Sequence, residues 1–169
     1  MFADFDVIES PIGWLLLTAD RRGLTGIHQL NGPPTFNGVR ELFPSPVRFT
    51  EVKAQLMEYF AGERLEFAVP LAHRGTDVQR AVWAALILLP YGVTVSVDDL
   101  AQRLRLSVHE VALAAVANPV SVVIPCHRLV DPLATGAVAE RRRALVALET
   151  GETFAPLPPL PIPVPRHAG

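Results

Sequence analysis

Cysteine is almost missing from this 169-residue chain, which carries one, Cys126. A single cysteine excludes an internal disulfide framework and any multi-cysteine zinc site. It suits a reducing compartment. Long apolar runs are missing as well: none approaches the roughly 18 residues needed to span a membrane. The opening Met1-Phe2-Ala3-Asp4-Phe5-Asp6 has no basic stretch leading into an apolar core, so no signal peptide is expected. A soluble, cytoplasmic protein with no membrane partner follows as the expectation. Charge of one sign is also scarce. The formal net charge of −2 argues against strong nonspecific attraction to nucleic acid, while leaving room for a local basic patch. There is no internal repeat. What the chain does have is apolar residues, 50% of the total, enough to bury a core in one ordinary domain or two small ones.

The order of signals predicts an α+β chain. Phe5, Val7 and Ile8 lead to a turn at Ser10-Pro11-Ile12-Gly13, Trp14 to Thr18 is a short apolar run, and Leu24 to Leu30 follows a second turn. This reads as an antiparallel meander. Asn31 to Pro46 reads as a loop. Val52, Leu56, Met57, Tyr59 and Phe60 recur at helical spacing over 50–61, with Gly62 as the stop. Leu65 to Leu71 reads as one more strand. His28 and His73 stand alone and read as ordinary surface or core histidines. Beyond residue 73 the pattern turns helical. Thr76 and Gln79 form a capping box, and Val78, Val82, Leu86 and Leu89 share a face. Pro90-Tyr91-Gly92 stops that helix. Ser96 caps the next one, and Ser107 with Glu110 makes a second capping box before a helix that ends at Asn118-Pro119. Helix, tight turn and small-residue helix is either a helix-turn-helix or two packed core helices. Its Ala112, Ala114 and Ala115 would permit close approach of a partner. A last helix spans about Val138 to Thr150, with Leu145 and Leu148 inward and Glu140 in its first turn. Arg141-Arg142-Arg143 is either a solvated face or a phosphate-contacting patch. The division expected is 1–73, 74–154, and a proline-rich tail, 155–169, that favours polyproline II and reads best as a strap on the domain.

Chemistry concentrates at Ile124-Pro125-Cys126-His127-Arg128. The strong sulfur nucleophile is a thiolate, and cationic or imidazole neighbours lower a thiol pKa from about 8.5. Cys126 is thus either an activated nucleophile next to its base or a small buried packing residue. Glu149, at the end of the last helix, reads by itself as a surface carboxylate.

Four pieces in order resemble the O6-alkylguanine-DNA alkyltransferase family. They are Gly75-Thr76-Asp77-Val78-Gln79-Arg80-Ala81-Val82-Trp83, Leu89-Pro90-Tyr91-Gly92-Val93-Thr94-Val95-Ser96, Asn118-Pro119 with Ile124-Pro125-Cys126-His127-Arg128, and Leu145-Val146-Ala147-Leu148-Glu149-Thr150-Gly151. The match covers about residues 74–151. The resemblance implies a small N-terminal antiparallel sheet plus helix, then an all-helical part with a helix-turn-helix and a short active-site strand. It implies a monomer that needs no cofactor or metal and acts on double-stranded DNA carrying alkylated guanine. Cys126 would attack the alkyl carbon on guanine O6. His127 would take the thiol proton through a water, Glu149 would orient the imidazole, and Asn118 would sit at the turn before the active-site strand. The thioether product would not regenerate, so one protein would repair one lesion. The target base must be flipped out of the duplex, and a helix-turn-helix entering the minor groove would assist.

Arg103 and Arg105 could contact phosphates, though Glu110 lies in the second helix of the pair, and the same resemblance adds DNA contacts at Val97, Ser107, His109 and Arg128. Here the chain departs from the pattern. Val97 stands where the family has a Tyr, and His109 where it has an intercalating Arg. The turn between the two helices is shorter. Thr135-Gly136-Ala137-Val138-Ala139 replaces the Gly-Tyr-x-x-Gly loop that holds the flipped base. Two readings follow: a working alkyltransferase, or a DNA-binding, lesion-sensing relative with weak or no transfer. Retention of Cys126 with His127 and Glu149 favours the first.

Overall fold

The computed structural model describes residues 3–30, 32, 42–131 and 135–152. Its N-terminal part is a four-stranded sheet. Strands β1 (Ala3–Ser10), β2 (Gly13–Asp20) and β3 (Gly23–Gln29) form the expected antiparallel meander. Within the segment read as a loop, Leu42–Pro44 forms a further strand, β4, parallel to β1, so the sheet order is β3-β2-β1-β4. Leu15, Leu17 and Ala19 alternate inward along β2, as the period of two in a strand requires. Helix α1 (Thr50–Phe60) covers part of that core with Leu56, Tyr59 and Phe60. These lie three and four residues apart on one helical face.

The strand expected over Leu65–Leu71 does not form. Only Leu71 makes a bridge, to Leu24, with Leu24 N–H donating to Pro70 O and Ala72 N–H to Leu24 O, each at 2.8 Å. Pro70 has no N–H to give a ladder. The crossing is close enough that a Cβ at Gly23 would overlap the Pro70 carbonyl.

The helical part begins with α2 (Asp77–Ile87), where the Thr76–Gln79 capping box closes in both directions. Its Trp83 is the largest fully buried side chain, and the indole N–H donates to Ala114 O at 2.8 Å. Strand β5 (Val95–Ser96) leads directly into α3 (Val97–Leu104), and α4 (Val108–Val116) follows after three residues. Ser96 and Ser107 cap α3 and α4 as expected. The active-site strand expected from the family is reduced to two residues. Cys126–Arg128 is a 3-10 turn, and only Leu129–Val130, β6, pairs with β5.

Helix α5 (Gly136–Thr150) starts two residues before the expected Val138, which places Glu140 beyond its first turn. The arginine triplet is not one solvated face. Arg141 is buried and its Nε donates to Ile12 O at 3.1 Å, Arg142 is half-buried, and Arg143 is exposed. The proline-rich tail lies outside the described residues, as do Pro132, Leu133 and Ala134. Among the described residues no helix is long and apolar enough to cross a membrane, and no cluster of His, Cys, Asp and Glu could hold a metal ion.

The sheet and the helical part meet along β3. Ile27 N–H donates to Pro119 O at 2.8 Å, Ile27 bridges Val120, and Ser121 Oγ donates to Ile27 O at 2.7 Å. The segment that carries Cys126 is therefore fastened to the N-terminal sheet.

Candidate active site

Between the end of α4 and Cys126 the chain makes a tight excursion. Asn118 organises it. Its Oδ1 accepts from Val120 N–H at 2.9 Å, and its Nδ2 donates to Ile124 O at 2.9 Å and to Cys126 Sγ at 3.0 Å. Val122, β-branched and not glycine, has φ 73°. That left-handed conformation costs on the order of 1–3 kcal/mol, which the surrounding bonds must offset. The excursion thus fixes the thiol at a set point beside an amide donor.

Cys126 is buried, and burial pushes its thiol up to about 12, against the lowering effects of the Arg142 charge and the Asn118 amide. Cationic and imidazole neighbours in the sequence would by themselves act in the opposite direction. Desolvation of a charged sulfur outweighs them here. At neutral pH Cys126 is a thiol, so its reaction requires a base.

His127 is that neighbour. Its side chain is 2% exposed, and its Nε2 lies 2.7 Å from Glu149 Oε1. Burial holds the imidazole below its usual pKa, outweighing the hydrogen bond and charge of Glu149. The ring is therefore neutral at pH 7. With Nε2–H given to a carboxylate, Nδ1 is the nitrogen left with a free lone pair.

Glu149 is the hub. The surface carboxylate read from its sequence context is a fully buried one. Five donors surround it. Oε1 receives Tyr59 Oη (2.7 Å), His127 Nε2 and Arg128 Nη2 (3.0 Å); Oε2 receives Arg128 Nε (2.9 Å) and Gly92 N–H (3.0 Å). Burial alone would raise this carboxyl, but the hydrogen bonds from His127 and Arg128 and from Gly92 prevail and hold it well below the carboxylate range. Gly92 has φ +74°, and a Cβ there would lie 3.2 Å from Glu149 O, so the donor must come from a glycine.

Arg128 is the first correction to the expected DNA contacts. It is buried, its guanidinium forks onto Glu149, its Nη1 donates to Leu89 O, and it lies over the Tyr91 ring at 5.9 Å. It is the permanent countercharge of Glu149 and does not face solvent. Val97 is the second. It is 4% exposed and packs with Leu100 and Ala101 in the core, so it presents nothing to a phosphate. Arg103, Arg105, Ser107 and His109 are exposed at the turn between α3 and α4 and the start of α4. Ser107 Oγ is already engaged with Glu110, donating to its carboxylate at 2.7 Å and accepting from its N–H at 3.2 Å. Ala114 and Ala115 face inward, so the outer face of α4 is made by His109, Leu113 and Val116.

Two cavities flank the site. One of about 160 Å³ contains Cys126, Asn118, His127, Val138 and Arg142. Another, of about 410 Å³, lies between Leu129, Val130, Arg143 and Val146, and shares His127 and Arg142 with the first. The sequence had marked Tyr59 as a packing residue only, Gly92 as a helix stop, and Arg142 as one of a basic run. A tyrosine in a buried stripe is itself a signal, because its hydroxyl needs a partner.

Two family profiles match the chain. Residues 77–150 match "6-O-methylguanine DNA methyltransferase, DNA binding domain" and residues 5–73 match "6-O-methylguanine DNA methyltransferase, ribonuclease-like domain". A methylated-DNA–protein-cysteine methyltransferase from Mycobacterium tuberculosis is 37% identical over 160 residues, covering 90% of this chain and 96% of that protein. The Methanosarcina barkeri protein of the same name is 36% identical over 128 residues, covering 75% of this chain and 81% of its own length. The crystal structure of the M. tuberculosis O6-methylguanine methyltransferase superposes with a TM-score of 0.78 at 36% identity, covering 91% of this chain and 96% of that one. M. tuberculosis OGT in complex with DNA gives 0.78 at 35%, covering 90% and 96%. Profile, relatives and fold agree with the site, and the chain belongs to the 6-O-methylguanine DNA methyltransferase family.

Proposed function

We propose that this protein repairs double-stranded DNA by moving the alkyl group from O6 of guanine onto Cys126, once per molecule. The observation that carries the reading is that the sole cysteine accepts from the Asn118 amide and lines one cavity with His127, whose neutral imidazole is paired with the buried, ionised Glu149. Cys126 sulfur forms the new bond to the alkyl carbon as the carbon–O6 bond breaks and its electron pair stays with the base. The thiol proton passes to His127 Nδ1, directly or through one water, and a proton is returned to the departing guanine. Glu149 carries the imidazolium for the duration, in the manner of an oriented base. Asn118 holds the sulfur. A thioether is a poor leaving group, so no step restores the thiol.

DNA approaches the α3–α4 side. Arg103 and Arg105 there supply phosphate contacts, and Ser107 and His109 sit at the entry of α4. The outer face of His109, Leu113 and Val116 suits a groove wall, and the alkylated base reaches Cys126 by leaving the stack. Residues 1–73 act as a bracing domain, 74–154 as the DNA-binding and reaction domain, and 155–169 as a tail. The protein works as a monomer in the cytoplasm, where a lone thiol stays reduced.

The test is an intact mass after incubation with a duplex carrying one O6-methylguanine. A gain of one methyl group, absent in Cys126→Ser, is expected. No gain with lesion-dependent binding would leave a lesion sensor, the reading favoured by His109 and the apolar Val97. No gain and no binding would remove both.

A further inference from the structure

The N-terminal part reaches the buried Glu149 hub through Tyr59. Tyr59, on α1, is fully buried, and its hydroxyl donates to Glu149 Oε1 at 2.7 Å and lies 3.3 Å from His127 Nε2. Its ring is fixed by Phe60, Phe67 and Tyr91, with centroids 5.3 to 6.1 Å away. Burial and the Glu149 charge raise the phenol far above its ordinary value, so it is a proton donor at every working pH. The same carboxylate oxygen serves the imidazole.

We propose that Tyr59 is a positioning residue that sets the basicity of His127 by occupying part of Glu149 Oε1. The orientation of the carboxylate is already fixed by the two-pronged Arg128 contact and by Gly92 N–H. What the Tyr59 hydroxyl adds is a third donor on the oxygen that faces His127. A hydrogen bond to a carboxylate stabilises its charge and leaves less of it for a competing partner. Tyr59 therefore weakens the hold of Glu149 on an imidazolium. It keeps His127 neutral and ready to accept the thiol proton. The other groups that bear on His127 act in fixed directions. Arg128 from the same turn and Arg142 from α5 disfavour its protonation, and Glu149 favours it. Cys126 precedes it as a neutral thiol, Tyr91 lies behind Tyr59 and Arg128, and Asp131, Arg143 and Glu152 line the larger cavity beside it. Tyr59 is the neutral member of this set that touches both His127 and Glu149.

The inference rests on His127 serving as the base proposed above, but its test needs no DNA. Tyr59→Phe keeps the ring and removes the hydroxyl. The His127 imidazole is titrated by NMR, assigned with His127→Gln, in the wild-type chain and in Tyr59→Phe. In parallel, alkylation of Cys126 by iodoacetamide is followed by intact mass across roughly pH 4 to 9. The His127 midpoint is expected to rise by roughly half to one pH unit in Tyr59→Phe, and the acid limb of alkylation to move with it. A purely structural role would lower the melting temperature and leave both midpoints where they are. An unmoved or lowered midpoint in a folded Tyr59→Phe would overturn the proposal. Should that variant fail to fold, 3-fluorotyrosine incorporated into Tyr91→Phe labels Tyr59 alone, because the chain has two tyrosines. Its more acidic phenol donates more strongly, so the midpoint must then fall. A rise or no change would overturn the proposal equally. Absence of methyl transfer by the wild-type chain would sink the function proposed above and leave these midpoints to be read independently.

Discussion

Replacing Glu149 by Gln keeps the shape of the hub and removes its charge. The consequences follow from the geometry. Five donors converge on the carboxylate, and a carboxamide has one oxygen to accept them and an NH₂ that accepts nothing. Turned one way, its NH₂ meets the Arg128 and Gly92 N–H groups; turned the other, it meets Arg128 N–H beside the Tyr59 hydroxyl and His127 Nε2, which can accept only by giving up the bonds they now donate. Arg128, with 8% of its side chain exposed, loses its countercharge. Removing one partner of a buried pair costs about 3–5 kcal/mol, largely because the other charge is left uncompensated. For a chain of this length, each kcal/mol lowers Tm by about 2–4 °C, so a fall of roughly 6–20 °C is expected. Urea unfolding at neutral pH measures it directly. Arg128→Met with Glu149→Gln should recover part of the loss, because the orphaned cation is gone, and the cycle of singles and double isolates the pair. A loss below about 1 kcal/mol for Glu149→Gln, the range of an exposed ion pair, would refute the hub described here.

Two further outcomes follow from the site. His127 is held below its ordinary value near 6.5 by burial, so the unfolded chain takes up that proton first, and stability should fall as pH drops from about 6.5 toward the folded value. Glu149, also lowered in the folded state, adds a second loss below about pH 4.3. Melting temperatures from about pH 8 down to about pH 2 read both losses at roughly half-unit steps, and a flat curve from about pH 7 to about pH 5 would contradict the buried neutral imidazole. Gly92→Ala should cost about 1–3 kcal/mol, from a side chain at φ +74° and the 3.2 Å approach to Glu149 O, seen as a lower urea midpoint with an unchanged slope. A neutral result would mean that the α2–α3 connection shifts freely.

Much of this arrangement was legible in the chain because it is local. The capping boxes at Thr76 and Ser107 and the Leu56, Tyr59 and Phe60 stripe of α1 are set by residues three or four apart, and they formed as the pattern required, whereas Met57 of the expected stripe is exposed and α2 ends at Ile87, before the expected stop at Pro90-Tyr91-Gly92. The motif around Cys126 likewise named its own neighbours. What could not be read was anything decided by distant partners. Arg128 looks like a surface cation until α5 supplies Glu149 from 21 residues away. Tyr59 looks like one more apolar knob until its hydroxyl reaches a carboxylate 90 residues on. Arg141 looks solvated until Ile12 comes within reach of its guanidinium. The alternatives open for Cys126 are settled in the same way, since its desolvation depends on segments gathered from both ends of the chain. The strand expected at Leu65–Leu71 is absent for a local reason. Its apolar residues are real, but Pro70 cannot propagate a ladder, and one bridge at Leu71 is all that formed.

The fastening of Pro119–Ser121 to β3 has a consequence for solubility. β3 forms one of the two edges of its sheet, and such an edge is a template on which a second chain can add a strand. Here that template is filled twice, at Leu24 by the Pro70–Ala72 crossing and at Ile27 by the segment leading to the cysteine. The reactive segment therefore doubles as the guard of the sheet edge. Substitutions that loosen it would do more than misplace a sulfur: they would expose bare N–H and C=O groups to neighbouring molecules, and poor expression or aggregation would accompany the loss of chemistry.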